Sequence, residues 1–349
     1  MEQALVSMSD IRRFKACRQR WAFSSPLRGN WSFTGSNKNL VAGDLAHQAL
    51  ARFYSPEKDK AYCAEGMLDF YDERSDIQLE AAKGEPTFDK IVDEVGLVRD
   101  ALDAYAPWAQ KHDNWTPIST ELDLIVPLPL DVYNKQVIYC GRADGLVERD
   151  GDFFLLEHKT CTRYPEFDTL LLDEQCIAYL WAANIDPQFK DTRPIGTQYT
   201  FLLKKAQQIP KVLKNGSLSR SKALLAGTTY ETYARRIAAI GASASDYAAE
   251  LRFLKGRPNP FVQRVEIRRT DKALQVFGND LLATVAEMMN PMVTIYPAPS
   301  WWTCRYCSFK SACSLARCGI DPLPLLKGAY AQREARYNVD VDTEELVTV

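Results

Sequence analysis

Long apolar runs are missing: no stretch of about 18 apolar residues occurs in the 349-residue chain, so no membrane-spanning helix is expected. The opening stretch, MEQALVSMSDIRRFK, lacks the apolar core of a secretory signal, and a cytosolic protein is expected. Charge of one sign is not in excess. Lys and Arg total 43 against 45 Asp and Glu, a net −2, so no global field advertises nucleic acid and any such surface must be local. No Gly-x4-Gly-Lys-Ser/Thr occurs, which excludes a P-loop motor. Nine cysteines are present, and in a reducing compartment they point to metal binding or plain burial rather than disulfides.

The chain is organised around Tyr139 to Thr160, YCGRADGLVERDGDFFLLEHKT. Asp150-Gly151 between two β-type runs is a hairpin signal, because a type I′ turn needs positive φ at both central residues. With those two at the turn, Arg149 faces Asp152, Leu146 faces Leu155, Asp144 faces Glu157 and Arg142 faces Lys159. Like charges directly opposite are destabilising, so Asp144 and Glu157 beside Lys159 call for a cation. Oxygen ligands in a partly open site suit Mg²⁺ or Mn²⁺. A salt-bridged hairpin on a solvated surface would show the same residues.

Before the hairpin, Ser9 is an expected cap for a helix over about 10–23, with Ile11, Phe14, Cys17 and Trp21 on its buried face. Residues 26–38 read as loop. A helix from about Lys38 to Tyr54 carries His47, with Gly43 one turn earlier to admit a close backbone approach. Two polar helices are expected over about 58–82 and 88–112, completing an N-terminal helical layer, 1–115. Glu121 to Leu130 reads as a strand whose prolines, Pro127 and Pro129, place its far end at a sheet edge. It opens the central segment, 118–205.

After the hairpin come a helix near 168–184, with Gln175 and Tyr179 on one face, and a strand over Ile195–Lys204. Residues 206–260 look like a helical insertion carried on the core. A strand (261–269) and a long helix (about 271–289) lead to the cysteines, and 321–349 is a tail ending acidic. Basic runs at 12–20, 204–222 and 264–269 are candidate phosphate contacts or ordinary solvated faces.

Cys304-x2-Cys307-x5-Cys313 is the sharpest spacing in the chain. Thiolate clusters select zinc or iron–sulfur. Three close cysteines with Cys17 as a distant fourth suit a 4Fe–4S cluster. Cys304, Cys307, Cys313 and Cys318 would instead suit zinc, and incidental cysteines are the third reading.

Taken in order, Cys17, Gly43-x3-His47, Asp144, Glu157-x-Lys159, Gln175-x3-Tyr179 and Cys304-x2-Cys307-x5-Cys313 resemble the RecB-type PD-(D/E)XK nucleases that carry an iron–sulfur cluster. That branch includes CRISPR-associated cluster nucleases, the AddB nuclease domain and phage-encoded exonucleases. The resemblance implies one nuclease domain, 1–349, of α/β class, with a mixed central sheet flanked by helices, the insertion, and cluster-binding elements at both ends. It implies a DNA exonuclease favouring single strands or ends, in recombination, repair or phage DNA processing. A helicase or recombination partner would supply any unwinding. His47, Asp144, Glu157 and the His158 carbonyl would hold Mg²⁺ or Mn²⁺. Lys159 would orient the attacking water, and Gln175 and Tyr179 would steady the lysine and the DNA backbone. Cys17, Cys304, Cys307 and Cys313 would ligate the cluster.

Arg142, Lys204 and Arg264 are expected DNA contacts. Glu121 falls near where some relatives place another acidic residue, without weight enough to be included. His158 departs from the apolar or small residue common inside Glu-x-Lys, and is expected to point to the sheet's other face. A non-catalytic cluster-bearing DNA-binding subunit and a zinc-binding interaction module are the alternatives.

Overall fold

The computed structural model describes residues 2–34, 38–57 and 62–333; the acidic tail expected after Val339 lies outside them. The chain begins with β1 (Glu2–Val6), α1 (Met8–Ala16), α2 (Arg18–Ser24) and β2 (Trp31–Phe33). A helical layer follows: α3 (Lys38–Phe53), α4 (Ala64–Ala81) and α5 (Phe88–His112). Next come β3 (Thr116–Val132), β4 (Lys135–Arg149), β5 (Asp152–Cys161), α6 (Phe167–Leu171), α7 (Glu174–Ile185) and β6 (Pro194–Leu203). The segment 206–260 contributes α8 (Lys222–Ala226), α9 (Tyr230–Ala239) and α10 (Ala248–Lys255). The chain then runs through β7 (Val262–Arg268), α11 (Asp271–Met289), α12 (Trp301–Arg305), α13 (Lys310–Arg317), α14 (Leu323–Ala329) and β8 (Tyr330–Gln332). No helix among the described residues is long and apolar enough to cross a membrane.

The architecture is α/β, as expected. Six strands form one mixed sheet ordered β1-β4-β5-β6-β7, with β3 on the other side of β4. β1 and β4 run parallel, as do β5 and β6, while β3–β4, β4–β5 and β6–β7 are antiparallel. One face packs against α3, α4 and α5, burying Leu50, Phe53, Val98 and Leu102 against Val147, Phe154 and Leu156. The other packs against α1, α7 and α11, burying Ile11, Phe14, Trp21, Trp181 and Leu281 against Tyr139, Leu146 and Leu155. Strands covered on both faces read as near-continuous apolar runs, which is why Tyr139–Cys140 and Phe154–Leu156 do not alternate with polar residues.

The hairpin forms about Asp150 (φ 55°) and Gly151 (φ 86°), with Arg149 paired to Asp152 and Leu146 to Leu155. β3 pairs only with β4, so its prolines lie at an edge, and the register shifts between Pro127 and Asp131. The expected 10–23 helix is two. Cys17 is extended (φ −166°, ψ 107°), ending α1 and preceding α2, and Ser7 rather than Ser9 caps α1 by accepting from Asp10 N. The expected 168–184 helix is also two, because Asp173 caps α7 by accepting from Gln175 N at 3.0 Å. An added Cβ at Gly43 would meet nothing within 4 Å, so no backbone crosses there.

β1 and the small antiparallel β2–β8 sheet were not expected from the sequence. The β2–β8 sheet ties the region after α2 to the chain after α14. Beside it Phe23, Phe309 and Tyr330 stack, with ring centroids 5.6 and 5.1 Å apart.

Candidate active site

β4 is longer than either strand on its inner edge. β1 pairs with it as far as Tyr139, and β5 pairs with it only from Gly145 onward. Between these, among the described residues, 140–144 carry no partner strand on that edge, although β3 continues along the other. Asp144 lies at the rim of this gap. The strict cross-strand pairing expected for Asp144 with Glu157 and Arg142 with Lys159 therefore does not form: the ladder stops one residue short, at Gly145–Leu156. Instead the Asp144 carboxylate itself accepts from the His158 amide at 2.5 Å. Ala143 and Leu146 both pack into the same core cluster despite being three apart, so the side-chain alternation of β4 slips by one at this point. The slip lets Asp144 reach the strand junction.

From α3, His47 Nδ1 reaches to 2.8 Å from Asp144 Oδ1. The two approach Glu121 of β3, so that one ligand atom from each of the three falls within 4.8 Å of the others. Glu121 holds φ at 51°, rare for a non-glycine residue, inside a strand. No periodicity in the sequence marks that kink, which is why Glu121 could not be singled out from spacing alone. From β5, Glu157 is buried and ion-paired with Lys159. Lys159 Nζ also donates to Gln175 Oε1 of α7 at 3.4 Å, and Gln175 Nε2 donates to Tyr179 OH at 2.9 Å. Tyr179 lies against Gly141, where any Cβ would come within 2.8 Å of its ring. Arg12 of α1 reaches the same group, donating to Asp173 Oδ1 at 2.6 Å.

Electrostatics divide the two buried carboxylates. Burial pushes Asp144 up, but the charge of His47 and the hydrogen bonds from His158 and His47 outweigh it and hold Asp144 below the usual carboxylate range. Burial raises Glu157 to about 6, opposed by the Lys159 charge and assisted by Asp144. Burial would lower His47, yet the Asp144 charge and hydrogen bond carry it up to about 9. Burial likewise pulls on Lys159, but the Glu157 charge keeps the ammonium protonated well above its ordinary value. A neutral-to-anionic oxygen set with one imidazole suits a hard divalent cation. Among the described residues His47, Glu121 and Asp144, each with a ligand atom within 4.8 Å of the others, fit it.

His158 lies on the Tyr54 side of the sheet but does not turn away from the site as expected, for its ring comes up to Asp144. It is buried, its ring stacks on Tyr54 (centroids 5.5 Å apart), and its Nδ1 is 3.3 Å from Asp144 Oδ2 without completing a hydrogen bond.

The three expected DNA contacts are engaged inside the protein. Arg142 binds Asp123 through two nitrogens, at 2.6 and 3.1 Å. Lys204 is buried against Glu94 at 2.7 Å. Arg264 is ion-paired with Asp113 and lies over the Trp115 and Trp108 rings, 4.2 and 4.7 Å from their centroids. Basic residues in a strand sequence look alike whether they end in solvent or in a buried pair, so the sequence could not separate these cases.

Of the four expected cluster ligands, Cys17 lies against the segment that leads to the other three. The break at Cys17 turns its sulfur toward the C-terminal segment, where Sγ accepts from Ala298 N at 3.4 Å. Burial raises the Cys313 thiol, and the neighbouring Cys17, Cys307 and Cys304 raise it further. Cys318, at the end of α13, is exposed.

The family model described as the PD-(D/E)XK nuclease superfamily matches residues 5–314. The chain belongs to the PD-(D/E)XK nuclease superfamily. Membership makes it a metal-dependent nuclease by class, in accord with the mixed sheet and the carboxylates at its gap. The crystal structure of SSO0001 is similar at 13% identity and a TM-score of 0.30, covering 78% of this chain and 83% of that one, a likeness too distant to carry an argument. No curated protein matches.

Proposed function

We propose that this superfamily member is a DNA exonuclease of the RecB-type branch, acting on single strands or ends, with its two chain ends closed by a 4Fe–4S cluster on Cys17, Cys304, Cys307 and Cys313. The observation that carries the catalytic half is the pairing of His47 with Asp144 and of Lys159 with Glu157, from α3, β4 and β5, beside the stretch of β4 that has no partner strand on the edge shared by β1 and β5. A divalent cation, Mg²⁺ or Mn²⁺, held by His47, Asp144 and Glu157 with the His158 carbonyl would relieve charge on a phosphate and acidify a water.

The chain's own groups do the rest. Lys159 stays protonated and is steered by Glu157 and Gln175, so it offers a fixed positive charge to a phosphate that gains negative charge. Tyr179 holds Gln175 in place. The cluster half is supported by the Cys304-x2-Cys307-x5-Cys313 spacing and by the contact of the Cys17 sulfur with Ala298, six residues before Cys304, since thiolates gathered from two segments suit an iron–sulfur cluster. Such a cluster would staple α1–α2 to α12–α13, the regions also joined by β2–β8.

The test is incubation of anaerobically purified protein with end-labelled single- and double-stranded DNA in Mg²⁺, Mn²⁺ or EDTA. Metal-dependent release of short products from ends is expected. Alanine at Asp144, Glu157 or Lys159 should abolish it with the fold intact, and full activity in all three variants would refute the reading. A colourless, zinc-loaded preparation would refute the cluster alone.

A further inference from the structure

α12 and the turn after it expose three large aromatic rings in six residues. Trp301, Trp302 and Tyr306 are 73%, 74% and 76% exposed. Rings of this size are the costliest side chains to leave in water, and three together are a patch rather than a scatter. Arg305 stands between two of them, its guanidinium 6.0 Å from the Trp301 centroid and 5.4 Å from the Tyr306 centroid. Trp301, Arg305 and Lys310 also wall a cavity of about 520 Å³ beside Cys304. From Met288 to Ile320 the charged residues are Arg305, Lys310 and Arg317, with no acidic residue among them. The surface is thus aromatic and cationic at once.

We infer that Trp301, Trp302 and Tyr306, with Arg305 and Lys310, form a stacking platform for the bases of a single DNA strand. This rests on the DNA-nuclease reading above and adds a site to it, apart from the carboxylates. Every base has a π-face, and base–aromatic stacking holds single strands without sequence preference while cations between the rings take the phosphates. A duplex hides those faces, so the platform selects unpaired DNA. Its position serves that role. α1 carries Arg12, whose Nη1 is 3.5 Å from Gln175 Oε1, and is followed by Cys17, whose sulfur meets Ala298 three residues before Trp301. This one helix thus joins the segment that bears the rings to Gln175, which braces Lys159.

The experiment measures binding without cleavage, in EDTA, using the anaerobically purified full chain and a labelled oligothymidylate. Trp301→Ala/Trp302→Ala should weaken binding about tenfold or more, the scale of one or two lost stacks. Circular dichroism checks that the variant is folded. As a second measurement, the oligonucleotide should quench wild-type tryptophan fluorescence, and Trp301→Phe/Trp302→Phe, which keeps the aromatic volume, should lose most of that quenching. Equal single-strand affinity in wild type and the alanine variant, or no quenching of wild type, overturns the platform. So does a variant that changes the sedimentation coefficient while single-strand affinity holds, since the rings would then belong to an interface between copies. DNA cleavage in Mg²⁺ is scored separately: wild type that cuts DNA but ignores these substitutions sinks the platform and spares the nuclease reading. Binding through the rings with no cleavage does the reverse.

Discussion

His47 Nδ1 and Asp144 Oδ1 lie 2.8 Å apart although 97 residues separate them in the chain. Helix α3 brings the imidazole to a point on β4 that has no partner strand on the edge shared by β1 and β5. His47, Glu121 and Asp144 each bring a ligand atom within 4.8 Å of the others, so removing the imidazole should weaken metal binding. His47→Ala is expected to weaken Mn²⁺ binding by about ten- to a hundredfold, measured by calorimetric titration. The thermal unfolding temperature without metal should also fall, because Asp144 loses the partner that holds its charge. Wild-type Mn²⁺ affinity in the variant would take His47 out of the ligand set.

The Arg264–Asp113 pair makes a different prediction from the one its sequence invites. Both side chains are buried, and the guanidinium also meets Tyr105 OH at 3.1 Å. Removing one partner of a buried pair leaves an uncompensated charge, typically at a cost of about 3–5 kcal/mol. Arg264→Ala should therefore lower stability in urea unfolding by about that amount. Loss of DNA affinity with unchanged stability would show that the pair opens in solution.

The hairpin and its flanking strands were readable because turn chemistry is local: Asp150-Gly151 sets the register with no help from the rest of the chain. Helix α11 was readable as well, at the expected 271–289. What was not readable depends on distant segments. β1 is five residues whose strand state comes from lying alongside Lys135–Tyr139. The gap it leaves against β5 decides that Asp144 is not paired with Glu157, and no local pattern encodes a gap. Cys17 shows both sides of this. Its place on an apolar stripe was legible, but its extended backbone, which aims the sulfur, was hidden inside that continuous helical pattern.

Asp10 gives a pH test. It is buried beneath α1 and α2, where its carboxylate accepts from Ser25 Oγ at 2.8 Å and Trp21 Nε1 at 3.3 Å. Burial raises its pKa, only partly opposed by Ser25 and Arg13. The folded state then holds this proton more tightly than the unfolded state, so Asp10 favours folding at low pH, and that contribution is lost as pH rises through its folded value. Asp10→Asn lacks the titration. Its stability relative to wild type should increase between pH 4 and pH 7, read from urea unfolding at each pH. A constant difference would mean that Asp10 titrates normally.

Gly141 is the tightest point of the candidate site. A methyl group there would lie 2.8 Å from Tyr179 Cε1 and 3.3 Å from Tyr139 Cε1, too close for either ring to stay. Tyr139 is fully buried, so Tyr179 must give way. Its hydroxyl then leaves Gln175, and Gln175 no longer braces Lys159. Displacement of a catalytic group by about 1 Å can cost about a hundredfold in rate. Gly141→Ala should therefore cut DNA cleavage by roughly that factor while Mn²⁺ affinity stays within about twofold, because the atoms nearest the added methyl belong to Tyr179 and Tyr139. Tyr179→Phe offers the control: it keeps the ring and removes the hydroxyl, so it should show a similar loss with no steric change. Full cleavage by Tyr179→Phe would mean that Gln175 and Lys159 hold their places without the tyrosine.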